Sequence, residues 1–459
     1  MKGIFDFDVT KLLDHITRIE DFGPLPSDSF NFDVQKSSDG RICLMVNAKS
    51  MAKRSNKPKG TLEIAKDKIV FSDAGGAEIC FHGALVKRQQ HSKAESGYGH
   101  FWKLTIVFSQ VTRRATNQKH IVSTTVETVH LPKNIINFWP HMTSTTHTES
   151  REMEIRGTSL RFDTKKDNES HSGNALNLEV NGRQVSLLCE NSTDERGYLC
   201  FEGNPTKEER DKIRWSLSFA LGHQLVHFGH YKLTIKNLRT EIMFVSKQTI
   251  PSNSGFTKQP STQRITDIQK IVTGLMRNYD RLDLSYILFS YFDARTAKEE
   301  KKGVYYGAAI EALQKTYEAS HTRISAKIVS DKKLKKKFFA DYKTLVKNLK
   351  LDLESEKLLL DKVSFLNSAP QKEVVRRFFN SLGLGLRKVE LNAWQRRNDA
   401  AHGNKSNKGT FEDLILDNIA LCCMFNRFLL SVATDCHLYT DYHTIGHVQR
   451  HVATAIPDR

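Results

Sequence analysis

The chain's 459 residues, 39% hydrophobic and 26% charged, have the balance of an ordinary soluble globular protein with room for two or three domains. A formal net charge of +17 favours polyanionic partners, nucleic acid being the commonest, although a solvated basic surface is the plainer reading of the same number. Seven cysteines without Cys-x2-Cys spacing fit reduced core thiols in a cytoplasm, no apolar run nears the length of a membrane span, and residues 1–8 lack a signal-peptide core.

The first half reads as strands. Residues 103–111 alternate, with Leu104, Ile106 and Phe108 on one face and Thr105, Val107 and Ser109 on the other, the period of a half-buried strand. Leu176, Leu178 and Val180 lead into Asn181-Gly182 and out through Val185, Leu187 and Cys189. Asn-Gly between alternating runs predicts a hairpin, because both turn residues tolerate positive φ. Residues 60–64, 68–72 and 77–82 read as three more strands, the last two joined across Gly75-Gly76. Many short strands between turns predict a sandwich or barrel. Residues 208–221 then read as one amphipathic helix packing on that sheet. Just beyond, His223-Gln224-Leu225-Val226-His227 has the histidine spacing of a zinc-protease helix, with His230 nearby. Gln224 stands where the general-base glutamate belongs, so histidines at a helix end and a strand start are expected instead. No metal or other cofactor is expected.

Residues 246–264 break the pattern with Pro, Ser, Thr, Asn, Gly and Lys, a composition that buries little and reads as a linker. It separates a β-rich domain over residues 1–245 from an all-α domain over residues 265–459, an α+β multidomain architecture. Ile268, Ile271, Val272 and Leu275 mark one apolar stripe, and Val304, Ala308, Leu313 and Tyr317 lie along the next long helix. On that second helix Glu311 and Lys315 stand at i and i+4, the spacing of a helix ion pair. Lys332, Lys333, Lys335, Lys336 and Lys337 form the densest basic patch, also on a predicted helix. It reads either as an exposed helical face or as a surface that tracks RNA. A final helix begins near Thr410, where Thr410 and Asp413 have the spacing of a capping box, and runs through Leu414, Ile419, Leu421 and Phe425.

Between these helices lies Arg397-Asn398-Asp399-Ala400-Ala401-His402-Gly403. An always-charged guanidinium can hold a phosphate, and an imidazole can move protons near neutral pH. Gly403 is suited to end a helix, which would place His402 in its last turn. Five residues turn about 140° around an ideal helix, so Asn398 and His402 share a stripe while Arg397 does not. The plainer reading is an arginine paired with Asp399 or Glu412 and a histidine capping carbonyls. Arg114 and His120 also fit a loose Arg-x(4–6)-His pattern, in a polar stretch where it reads as chance.

The surroundings of Arg397 and His402 resemble the HEPN superfamily of helical ribonucleases, and within it the ApeA-like branch of bacterial anti-phage proteins. HEPN ribonucleases carry an arginine, then a polar residue, and a histidine at this distance, matched by Arg397, Asn398 and His402. Many carry a glutamate and a lysine four residues apart on an earlier helix, matched by Glu311 and Lys315. Tyr439-Thr440-Asp441-Tyr442 followed by Gly446 is similar to the tail of ApeA-like chains, and residues 216–222 look like the end of their N-terminal domain. The resemblance covers roughly residues 264–459. It implies a homodimer or higher oligomer with two motifs facing one cleft, and cleavage of a tRNA or other cellular RNA during infection. A phage-derived trigger would act through the N-terminal sensor domain.

The expected reaction is attack of a ribose 2′-OH on the adjacent phosphate without a metal. His402 would be the acid/base, Arg397 would stabilise the phosphorane, Asn398 would position one or the other, and Glu311, Lys315 and Asp399 would support them. Two rivals stand beside this reading: a module that binds RNA or a nucleotide without cutting it, and a regulator whose helical domain only dimerises.

Overall fold

The computed structural model describes residues 16–36, 42–51, 67–74, 76–93, 100–114, 121–132, 141–144, 150–155, 158–163, 171–190, 196–234, 239–245, 260–261, 264–321, 325, 327–401 and 410–458. The chain is α+β, with antiparallel sheets first and helices after. By contact it divides into two units, residues 1–214 with 223–257 and residues 215–222 with 258–459. Residues 246–259 of the expected linker, and the expected strand 60–64, lie outside the described residues.

The first unit opens with β1 (Ile16–Asp21), β2 (Ser29–Lys36), β3 (Ile42–Ala48), β4 (Lys68–Asp73), β5 (Glu78–His82), β6 (Leu85–Lys93) and β7 (His100–Val107). It continues through β8 (Gln110–Arg114), β9 (Val122–His130), β10 (His141–Ser144), β11 (Ser150–Ile155), β12 (Thr158–Asp163), β13 (His171–Val180), β14 (Arg183–Glu190) and β15 (Arg196–Glu202). After α1 (Lys207–Leu221) come β16 (His227–Thr234) and β17 (Arg239–Val245). Among the described residues these strands form an eleven-stranded sheet, β1-β4-β5-β8-β17-β16-β9-β15-β14-β13-β10, a four-stranded sheet, β2-β3-β7-β6, and the pair β11-β12. Leu44, Val46, Leu104 and Ile106 of the smaller sheet meet Ile69, Phe71, Ile79 and Phe81 of the larger in one core, so this end of the unit is a sandwich. Phe71 packs edge-on against Phe32 and Phe81, with ring centroids 5.1 and 5.7 Å away.

Residues 103–111 are two strands, not one. Leu104, Ile106 and Phe108 are all buried, but the chain changes sheets at Phe108-Ser109. There the N–H and hydroxyl of Ser109 both donate to the His82 carbonyl, at 2.9 and 3.0 Å. Alternation records only which side faces the core, and a core shared by two sheets keeps it in phase across the step. The Asn181-Gly182 hairpin forms as predicted, with φ of 52° and 73°, between β13 and β14. The first half of α1 meets the sheet. Arg210 Nε and Arg214 Nη1 reach Glu127 of β9 at 2.8 and 2.6 Å, whereas residues 215–221 belong to the second unit. In that unit the Phe219 ring lies 5.5 Å from Tyr291, and Trp215 lies 5.7 Å from Phe292.

The second unit continues with α2 (Ile265–Asn278), α3 (Leu284–Thr296), α4 (Glu299–Ser320), α5 (Lys332–Asn348) and α6 (Leu353–Lys362). It ends with α7 (Gln371–Ser381), α8 (Lys388–Ala401), α9 (Phe411–Ala433), β18 (Leu438–Asp441) and β19 (Val448–His451). The α2 stripe is buried as predicted. The stripe that α4 buries is Gly303, Tyr306, Gly307, Ile310 and Leu313, whereas Val304, Ala308 and Tyr317 are only partly covered. The Thr410–Asp413 capping box is formed at the start of α9. α9 itself is long and apolar enough to cross a membrane, contrary to the sequence expectation that no such run exists. It lies mostly buried, with α2, α4 and α8 packed along it.

The second unit is not all-α, since β18 and β19 pair after the last helix. Asp441 holds the connecting turn, accepting from the N–H groups of His443 and Thr444 at 3.0 and 3.1 Å and from Arg450 Nε at 2.8 Å. Thr440 N donates to the Pro260 carbonyl at 3.0 Å, and its hydroxyl to the Ser261 carbonyl at 3.1 Å. Pro260 and Ser261, read from sequence as linker, are therefore buried parts of the second unit.

Arg427 of α9 and Glu390 of α8 form an ion pair, both side chains wholly inaccessible to water. Arg427 also donates to the carbonyls of Val452 and Gly385 at 2.9 and 3.0 Å, and Glu390 accepts from the Arg387 N–H at 2.9 Å. Removing one partner strands a buried charge, so Arg427→Ala is expected to cost about 3–5 kcal/mol of stability in urea denaturation. The double replacement Arg427→Met with Glu390→Leu should recover part of that loss.

Candidate functional site

Gly303, Gly307 and Glu311 recur every fourth residue, so they line one stripe of α4, and Arg397 of α8 lies along it. A Cβ on Gly307 would sit 2.7 Å from Arg397 Cδ and 2.8 Å from Nη1, and one on Gly303 would sit 3.5 Å from Arg397 Cα and Cβ. Gly307 thus leaves the guanidinium a slot that a Cβ would take, whereas at Gly303 a Cβ would make only ordinary contact with Arg397. On its other side the guanidinium stacks on Trp394, one turn earlier on α8, with Cζ 3.7 Å from the ring centroid. Nη2 donates to Glu311 Oε1. The Arg397 side chain is 9% exposed while Glu311 is 44% exposed, so the pair stands at the mouth of the slot. Arg397 Nε is buried without a hydrogen-bond partner among the described residues.

Of the predicted site residues whose side chains are described, the structure brings together Arg397 and Glu311 and not Lys315 or the α5 lysines. Glu311 pairs with Arg397 rather than with Lys315, which is exposed on the next turn. Asn398 and Asp399 lie on α8, but their side chains, and all of His402, lie outside the described residues. The lysines sit on a helix as predicted, where the Asp331 carboxylate caps α5 by accepting from the Leu334 N–H at 2.7 Å. Lys332, Lys333, Lys336 and Lys337 are exposed, while Lys335 Nζ stands 5.3 Å over the Phe339 ring. α5 packs on α6, whereas Arg397 belongs to the packing of α8 on α4.

Sequence reasoning missed Trp394, Gly303 and Gly307. A pair of glycines four apart inside a long helix was the available signal, since each weakens a helix unless close packing requires it.

The first unit holds a second titratable cluster. Glu127, Arg210 and Arg214 meet beneath α1, with His227 Nε2 3.8 Å from Glu127 Oε1 and His230 Nε2 4.0 Å from Glu241 Oε1. Burial pushes the Glu127 carboxyl up, but Arg214, His227 and Arg210 outweigh it and hold it at about 2. Burial pushes His227 down to about 4 and His230 down to about 3. His223 lies past the end of α1 and bonds His130 at 3.0 Å, so it shares no helix with His227. No group of three metal-ligating side chains occurs among the described residues. Arg114 lies on β8, 3.7 Å from Glu241, and His120 falls outside the described residues.

No family model, no curated protein and no solved structure matches this chain.

Two outcomes follow from these geometries. Gly307→Ala should leave thermal stability unchanged or raised, because alanine gains about 0.5–1 kcal/mol over glycine in a helix and displaces only a side chain. The displaced guanidinium should show as a changed Arg397 Nε–H resonance once it leaves the indole face. Gly274→Ala, whose Cβ would meet backbone atoms of Ala433 and Thr434 at 2.6 Å, should instead lose about 1–3 kcal/mol.

The second outcome concerns pH. His227 and His230 take a proton near 6.5 when unfolded but only at about 4 and 3 when folded, so protonation favours the unfolded chain increasingly below pH 6.5. The Glu127 contribution is complete above 4.5 and falls away as pH drops towards 2. Denaturant midpoints of the first unit should fall steadily from pH 6.5 to pH 3. Replacing both histidines with asparagine should flatten the part above pH 4.

Proposed function

We propose that this chain is a metal-independent endoribonuclease of the HEPN type, acting as a homodimer on cellular RNA in anti-phage defence. The observation that carries the reading is the setting of Arg397. A guanidinium stacked on Trp394, packed against Gly307 and paired with Glu311 is held in place, five residues before His402 in the sequence. Fixed donors aimed at developing charge stabilise a transition state without reorganising when it forms. In the proposed reaction the 2′-OH loses its proton to a base as its oxygen bonds to phosphorus. The phosphorus–5′-oxygen bond breaks, and the leaving oxygen takes up a proton. His402 serves this proton traffic, with two facing copies of the motif supplying a separate base and acid. Arg397 holds the phosphorane oxygens, exchanging Glu311 for phosphate at the mouth of the slot. The β-rich first unit is proposed as the sensor for an infection signal.

A second reading draws on the same burial. Arg397 is nearly covered and already holds a carboxylate, which suits an arginine that organises a phosphate-binding surface without catalysing.

Incubation with total RNA in EDTA decides between them. Cleavage should proceed and leave 2′,3′-cyclic phosphate and 5′-OH ends, and a 2′-deoxy nucleotide at the cut site should block it. His402→Ala should slow cleavage by about a hundred- to ten-thousandfold. Arg397→Lys should fail substantially, since lysine keeps the charge but loses the planar fork. A requirement for magnesium with 5′-phosphate ends would overturn the mechanism, and RNA retention without cleavage would favour the binding reading.

A further inference from the structure

α5 carries more apolar surface than its neighbours cover. Phe339, Tyr342 and Val346 form its packed stripe. Beside it, within about 60° of arc on an ideal helix, lie Leu334, Phe338, Leu345 and Leu349. These four remain 56%, 39%, 58% and 54% exposed. A short helix that turns four such side chains to water is incomplete by itself. Ile328 before the helix and Leu353 after it, 54% and 88% exposed, extend apolar surface past both ends.

The spacing indicates what completes it. Leu334 and Leu349 lie equally far from the point between Asp341 and Tyr342, and so do Phe338 and Leu345. A stripe with this symmetry is its own complement under a two-fold axis. Laid antiparallel on a second α5, Leu334 meets Leu349 of the other copy and Phe338 meets its Leu345, the isologous pairing of a closed dimer. The charges agree. Lys332, Lys336, Lys343 and Lys347 fall on the far arc and stay in water. An anionic membrane fits less well, because a helix resting its apolar stripe on lipid would turn those four lysines away from the headgroups.

We infer that the exposed stripe of α5 is a homodimer interface, closed by antiparallel pairing of α5 with α5 of a second copy. This rests on α5 alone, independently of any action on RNA, and it is read by mass rather than by activity.

Cysteine cross-linking of the full chain tests it, since the seven native cysteines are all buried. Asp341→Cys, next to the proposed axis, should give a disulfide dimer under mild oxidation, while Lys336→Cys on the far arc should not. Leu334→Cys mixed with Leu349→Cys should cross-link between the two variants, and neither should cross-link with itself. Sedimentation should give a dimer mass, and Phe338→Asp with Leu345→Asp should weaken association by about a hundredfold or more while leaving helical circular dichroism intact. A monomeric mass for the unaltered chain would overturn the inference. So would a dimer that survives the two aspartates, or self-cross-linking of Leu334→Cys, the mark of parallel pairing.

Discussion

Arg427 is the constraint on which the helical unit depends. A guanidinium with no access to water must satisfy its donors inside the protein, and here they reach Glu390, Gly385 and Val452. Those acceptors lie in three separate parts of the chain: the first turn of α8, the stretch before it, and the end of the terminal hairpin. Satisfying one cation therefore fixes three segments against α9 at once. Glu390 stands two helical turns before Arg397 on the same helix, so the pair that anchors α8 also sets where its Arg397 end meets α4.

The slot at that end is made at a local cost. Glycine inside a helix is unfavourable, and α4 carries two at the contact with Arg397. Trp394 Nε1 and Arg397 Nε are both buried without partners among the described residues, a further cost where cores normally leave none. The Arg397–Glu311 pair returns little stability, because one partner is nearly half exposed and ion pairs at the surface are weak. Its effect is orientation. Local rules are thus broken together in one place, with no gain in stability to explain them.

Sequence patterns made some of this legible and hid the rest for identifiable reasons. Asn181-Gly182 and Thr410–Asp413 were readable because turn and cap chemistry is written in adjacent side chains. The α2 stripe was readable because one face of that helix is apolar and the other is not. α3 escaped because Leu284, Ile287, Leu288, Tyr291 and Phe292 are buried while Tyr286 and Phe289 are exposed, which leaves no clean stripe. The step between sheets at Phe108-Ser109 was invisible because the alternation stays in phase. Arg397 and Glu311 were singled out from the motif, but Gly303 and Gly307 act through an absent side chain, and no hydrophobic pattern records that. No sequence pattern marks Arg427, and only the fold shows it wholly buried.

The closure of the second unit also sets an order on its making. Pro260 and Ser261, where the described chain re-enters this unit, are held by Thr440, while Arg427 waits for the carbonyl of Val452 and Val389 N–H for the carboxylate of Asp458. A ribosome delivers these partners after α8 and α9. The β-rich unit has all its described strands long before then, whereas Arg427 and the Val389 N–H lack their last partners until the final hairpin has emerged. A message cut short upstream of the hairpin would yield a chain whose first unit keeps all its described strands, while Arg427 in the second lacks the Val452 carbonyl.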